Sequence, residues 1–169
     1  MLEIVLAVFI LIAFITDVRR SQIPNVLTVS AVLIGLLLQG IIGGWDGLLQ
    51  GLIGMGVGLA VMLPLYLFGA LGAGDVKLFA GIGAITSLSY VMNSMLYSLL
   101  FAGLIGVVIL IWRKQVRQKA SMLFSVIGIT FIHRDLQAVR TVRNSKNITF
   151  PFMYAVLPGS ILAMLEGFW

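Results

Sequence analysis

The sequence predicts an all-α integral membrane protein of about six transmembrane helices with both termini external. Hydrophobic residues make up 60% of the 169 positions, only 10% are charged, and long uncharged runs recur along the chain. Soluble domains carry about 25% charged residues, so this chain has too few polar groups to cover a water-facing surface. The length allows one membrane-embedded domain, residues 1–169.

The first three spans are predicted from the uncharged runs of the N-terminal part. A spanning helix needs roughly 17–25 mostly apolar residues, and we expect spans at residues 2–17, 24–42 and 48–68. The GGWDG stretch at residues 43–47 supplies the turn between the second and the third. Small residues at GxxxG spacing let membrane helices approach closely. The third span carries four such glycines, Gly47, Gly51, Gly54 and Gly58.

The remaining spans are predicted from the C-terminal part. Residues 78–112 contain no charge, and one helix of that length would measure roughly 52 Å against a ~30 Å hydrocarbon core. We therefore expect a bend near residues 87–94, which gives a short fourth span and a fifth. A sixth should cover residues 148–165, with a kink or a late start because of its two prolines. Residues 113–147 form a basic loop whose apolar middle, residues 120–133, is too short to span comfortably and suggests an interfacial or re-entrant helix.

The placement of positive charge predicts the orientation. All 11 Lys and Arg residues lie in three segments: residues 19–20, residue 77 and residues 113–146. The alternate ends of the predicted spans carry none. The positive-inside rule then places these three segments in the cytoplasm and both termini outside.

Several function classes are disfavoured by what the composition lacks. The chain has no cysteine, which excludes disulfides, thiolate metal sites and cysteine nucleophiles. The single histidine, His133, argues against a histidine zinc site or a Ser-His-Asp triad. The net charge of +5 lies between apolar spans, as a topology signal does, rather than in a nucleic-acid-binding patch. We expect no metal, no cofactor and no nucleic-acid partner.

Two of the six acidic residues, Asp17 and Asp75, fall at the cytoplasmic boundary, at the ends of the first and fourth predicted spans. Each alone has a structural interpretation: Asp17 beside two arginines, and Asp75 as a helix N-cap. Together they suit an aspartic protease, in which two nearby carboxylates share a proton and activate a water. Which aspartate begins as the base stays open.

The residues around these aspartates resemble the type IV prepilin peptidase family, a group of GxGD membrane aspartyl proteases. The first match is Asp17-Val-Arg-Arg-Ser-Gln-Ile-Pro-Asn25, and the second is Gly72-Ala-Gly74-Asp75-Val-Lys77-Leu78. The final PFMYAVLPG segment is similar in a less specific way. The resemblance implies that Asp17 and Asp75 are the catalytic pair of an endopeptidase that removes short leader peptides from prepilins.

Five further residues are predicted to support the site. Gly72 and Gly74 would allow a tight turn and close approach to substrate. Pro24 and Asn25 fit the start of the second span, where proline presets the first-turn φ. Lys77 lies two positions from Asp75 and so points to another helix face, which favours an interfacial anchor over a catalytic role.

One departure from the family pattern refines this hypothesis. Larger bifunctional members carry a cysteine-bearing N-terminal segment linked to N-methylation, and this sequence lacks it. The chain is therefore similar to the short, cleavage-only peptidases of Tad/Flp pilus systems. The resemblance implies a multi-pass protein of the prokaryotic inner membrane. Its partners would be a prepilin-type precursor, the lipid bilayer, and pilus or secretion assembly proteins. Oligomeric state stays open.

Three other functions remain open at this stage. Membrane carboxylates also carry ions in small proton-coupled transporter subunits, although such sites tend to lie near the midplane. A non-catalytic assembly factor of a pilus or secretion machine could keep the same fold. A GxGD protease of the presenilin type would cut within the membrane, but those chains have more spans.

Overall fold

The computed structural model describes residues 2–20, 23–112 and 152–166. Within these ranges there are five α-helices and no strand, so the all-α prediction is confirmed for the described part. The basic loop at residues 113–147, its predicted helix at 120–133 and His133 lie outside the described residues. The helices are α1 (Leu2–Arg20), α2 (Asn25–Leu67), α3 (Ala73–Ile85), α4 (Leu88–Trp112) and α5 (Met153–Leu165).

Helix α2 is two helical segments joined at a break. Its 43 residues would extend roughly 65 Å if straight, but Gly44 has φ 59° and ψ −140°, a conformation essentially restricted to glycine. Beyond this point the chain returns on itself, because the backbone of Gly47 lies directly against the carbonyl of Gln39. The turn predicted at residues 43–47 is therefore confirmed.

The bend predicted in the long uncharged run is also present. Helix α3 ends at Ile85, α4 begins at Leu88, and Thr86 between them has an extended backbone. With 13 residues α3 is short, as expected, but it begins at Ala73, so that Asp75 lies inside it. Helix α5 begins after an N-cap at Phe152 and continues through Pro158, so the expected late start is confirmed.

The described helices carry their large apolar side chains outward. Two stretches, Asn25–Leu67 and Leu88–Ile109, are long and apolar enough to cross a membrane. On α2 the buried face is made mainly of small or polar residues, whereas Leu37 is 66% exposed and Ile41 is 79% exposed. Water would disfavour this distribution, and lipid favours it.

Helix α3 is enclosed by close contact with α2. The backbones of Gly54 and Gly83 lie so close that a Cβ on either would overlap the other, and Gly58 faces the carbonyl of Phe79 in the same way. The predicted role of the third-span glycines in close packing is thus confirmed. At the far end of α3, Gln39 donates hydrogen bonds from Nε2 to the carbonyls of Ile85 and Thr86, each at 3.1 Å.

The described residues up to 102 and from 152 onward form one compact unit, and the end of α4 from residue 103 belongs to a second. The aspartates and the residues that contact them all lie in the first unit. The single-domain description of residues 1–169 stays a prediction.

Candidate active site

Asp17 lies in the last turn of α1 and is 7% exposed. A carboxylate there faces the negative end of its own helix dipole, which is unfavourable. The structure compensates by bringing the N-terminus of α5 against it: the backbone N–H of Met153 donates to Asp17 Oδ2 at 3.2 Å. The first and last described helices thus meet at this carboxylate.

Two aromatic contacts hold the start of α5 beside Asp17. The ring of Phe14, one turn before Asp17 on α1, meets Tyr154 edge-on at 5.5 Å between centroids. Phe79, one turn after Asp75 on α3, meets Phe152 in a tilted edge contact at 6.5 Å. Such pairs contribute about 0.5–1.5 kcal/mol beyond the area that they bury. They orient the α5 N-terminus toward the acidic residues.

Asp75 occupies the third position of α3, one turn past the N-cap residue Gly72. Its Oδ2 accepts a hydrogen bond from the Gly72 N–H at 2.9 Å, and its own N–H donates to the Gly72 carbonyl at 3.1 Å. The interpretation of Asp75 as the N-cap is therefore wrong: the cap is Gly72, and Asp75 closes the first turn from inside. A carboxylate at this end of a helix is favoured by the dipole.

The two carboxylates are brought together by the packing of α1 against α3. Asp75 is 9% exposed, so both carboxylates are largely buried on neighbouring helices. In each case the described partner binds Oδ2, and no described residue donates to Oδ1. Two such groups favour a state in which one is ionised and the other protonated, and a water can bridge them.

The described ranges contain no cluster of three or more His, Cys, Asp or Glu side chains spaced to hold a metal ion.

The two glycines of the GxGD stretch have different surroundings. A Cβ on Gly72 would stand 3.3 Å from Asp75 Oδ2, which is tighter than ordinary contact, so this glycine makes room for the carboxylate. A Cβ on Gly74 would only touch the side chain of Ile23, at 3.4 Å. Of these two glycines, only Gly72 lies where a side chain would crowd its neighbour. The predicted approach of substrate to these glycines stays a prediction.

The other supporting residues lie where α2 begins. Pro24 is the N-cap, one position before the helix, rather than a first-turn residue, and its carbonyl accepts the N–H groups of Leu27 and Thr28. Asn25 is the first residue of α2, and its Oδ1 accepts a hydrogen bond from Lys77 Nζ at 2.8 Å. Lys77 is exposed on α3, so the two stretches that the sequence singled out are joined to each other.

Sequence reasoning missed Met153 and Gln39. The donor to Asp17 is a backbone N–H, which every residue except proline has, so nothing in the sequence could indicate Met153 as its partner. A signal did exist for Gln39, since it is a lone amide within an uncharged apolar run, and such a residue needs a partner inside the membrane.

The fold and the site define a helical membrane protein with a pair of buried carboxylates from separate helices. Comparison with protein families identifies it further: the model of the type IV leader peptidase family matches residues 4–111, and the chain belongs to that family. The match includes both aspartates and ends before α5. The comparisons with curated proteins and with solved structures found no match.

Proposed function

We propose that this protein is a membrane aspartyl endopeptidase that removes the leader peptide from type IV prepilin-like precursors. One observation carries the proposal: Asp17 and Asp75, 58 positions apart in the chain, are both buried on helices α1 and α3, which pack against each other. Membership of the type IV leader peptidase family supports the same reaction.

The reaction would follow from the pair of carboxylates. The ionised carboxylate takes a proton from a bound water as the water oxygen attacks the scissile carbonyl carbon. The protonated carboxyl group donates its proton to the carbonyl oxygen, which gives a neutral tetrahedral intermediate. When the C–N bond breaks, the leaving nitrogen gains a proton from the carboxyl group that took it from water. The other carboxylate takes the proton of one hydroxyl of the intermediate, so the leader leaves as a carboxylic acid and the pair again holds one proton.

The hydrogen bonds described above suit this role. Met153 N–H fixes Oδ2 of Asp17, and Gly72 N–H fixes Oδ2 of Asp75, so neither carboxyl group rotates freely. Each keeps Oδ1 without a described donor, which leaves an oxygen on each side for the attacking water. Preorganised groups of this kind lower the cost of reaching the transition state.

The location of the reaction is part of the proposal. Six spans, external termini and an inner-membrane site would place the pair at the cytoplasmic face, since Arg19 and Lys77 lie within two positions of the aspartates. A precursor whose basic leader is cytoplasmic and whose apolar helix is membrane-inserted would present its cleavage site at that level. The resemblance to Tad/Flp peptidases favours Flp-type pilins as substrates.

The decisive experiment is cleavage of a co-expressed prepilin from the same genome, read as a gel shift. Wild type is compared with Asp17→Asn, Asp75→Asn and the matched control Asp46→Asn, which changes an exposed acid at the break of α2. Cleavage by wild type and by the control, together with full-length precursor in both site variants at normal expression, is the expected result.

Two outcomes would contradict the proposal. Normal cleavage by either site variant would remove that aspartate from the catalytic pair. Intact pilus assembly in Asp75→Asn cells, with no cleavage by wild type of any precursor offered, would instead favour a non-catalytic assembly factor.

A further inference from the structure

The hydrogen bond between Lys77 and Asn25 joins two segments that lie 52 positions apart in the chain. Lys77 is the fifth residue of α3, and Asn25 is the first residue of α2. The bond is short, 2.8 Å from Nζ to Oδ1, and its donor is charged, which makes it stronger than a bond between neutral groups.

A second contact accompanies it. The side chain of Ile23 lies against Gly74, at ordinary van der Waals distance from the position of a Cβ. The segment that leads into α2 therefore touches α3 immediately before Asp75 and again two residues after it. Asp75 lies between two points of attachment to the same segment.

The segment that leads into α3 is open on its outer side. Residues 68–73 are exposed or partly exposed, whereas residues 78–85 are all buried. The buried part of α3 is fixed by the glycine contacts with α2 and by the hydrogen bonds from Gln39. The end that carries Asp75 is attached in addition to the start of α2, where Pro24 presets the backbone at φ −62°.

An exposed polar contact of this kind contributes little to the free energy of unfolding. The contact between Lys77 and Asn25 would matter instead for the position of the catalytic group, because a misplacement of about 1 Å at such a group can cost roughly 100-fold in rate. We infer that Lys77 is a positioning residue that, through its bond to Asn25, holds the first turn of α3 and with it the Asp75 carboxylate in register with Asp17. This inference rests on the proposed peptidase function and goes beyond the interfacial-anchor role.

The test is steady-state cleavage of a prepilin by purified, detergent-solubilised enzyme. Lys77→Met removes the donor but keeps the length of the side chain, and Asn25→Ala removes the acceptor from the other side. Each should lower kcat by about tenfold, below the ~100-fold cost of a full 1 Å misplacement, with KM nearly unchanged. The double variant should be no worse than either single one, because both remove the same bond.

Lys77→Arg is the conservative control, since a guanidinium can still donate to Asn25. It should recover kcat to within about threefold of wild type, on the order of half a kcal/mol at 1.36 kcal/mol per factor of ten. Thermal unfolding of each variant in the same detergent should stay close to wild type, which separates positioning from a fold that is merely weakened.

Three results would overturn the inference. A change in KM alone for Lys77→Met would indicate a substrate or lipid contact rather than positioning. Losses in kcat that multiply in the double variant would show that the two residues act separately, and an unchanged kcat in both single variants would show no role. Failure of the proposed function gives a different pattern, in which wild type does not cleave or Asp75→Asn cleaves normally.

Discussion

The hydrogen bonds of Gln39 lead to a prediction about stability. Gln39 is 7% exposed on α2, and its amide nitrogen binds the carbonyls of Ile85 and Thr86 at the C-terminal end of α3. Gln39→Leu would keep the bulk of the side chain and remove both bonds. It would also leave two carbonyls at a helix end without the donor that they have now, which is costly away from water.

The size of the effect follows from these two bonds. Hydrogen bonds between membrane helices contribute about 0.6 kcal/mol on average and at most about 1.7 kcal/mol, so two should contribute roughly 1–3 kcal/mol. For a chain of this size, each kcal/mol corresponds to about 2–4 °C in Tm, so a fall of roughly 2–12 °C is expected.

Thermal unfolding in detergent measures this fall, and Gln50→Leu is the matched control, because Gln50 is exposed on the same helix. The rate of precursor cleavage per folded molecule should stay near that of wild type, since Gln39 binds ten residues beyond Asp75, roughly 15 Å along α3. A Gln39→Leu variant that unfolds at the wild-type temperature, or a control that loses as much, would refute the reasoning.

Two further predictions use neighbouring glycines as matched pairs. Gly44→Ala should lower stability by about 1–3 kcal/mol because its φ of 59° is strained for any residue with a Cβ, whereas Gly43→Ala should change it by less than about 0.5 kcal/mol. A Cβ at either position meets nothing within 4 Å, so equal unfolding temperatures would rule out backbone strain as the cause. Gly72→Ala should lower kcat for precursor cleavage more than Gly74→Ala does, because only the first methyl crowds Asp75 Oδ2, and a larger loss for Gly74→Ala would contradict this.

Much of the fold was predictable because it follows from local composition. The turn at Gly44 and the bend between α3 and α4 appear where glycines or polar residues interrupt apolar runs. The two aspartates could be singled out because they are rare acids inside recognisable short patterns. The six-span topology and the interfacial helix at residues 120–133 stay predictions.

The contacts that build the site were not predictable from the sequence alone. Asn25 binds Lys77 across 52 positions, and Asp17 binds Met153 across 136. No short sequence pattern predicts either hydrogen bond, because contacts between distant residues depend on how the helices pack. The sequence could indicate that Asp17 and Asp75 converge, but not what orients each carboxyl group.

The contact of Asp17 with α5 also determines the order in which the parts of the site can form during synthesis. Both aspartates leave the ribosome well before Met153 does, so the nascent chain carries its acidic residues without the donor that orients the first of them. A fragment that stops after α4 would contain the whole stretch by which the family is recognised, residues 4–111, yet it would lack this donor. The hydrogen bond that orients Asp17 can therefore form only after α5 has been synthesised, later than both aspartates.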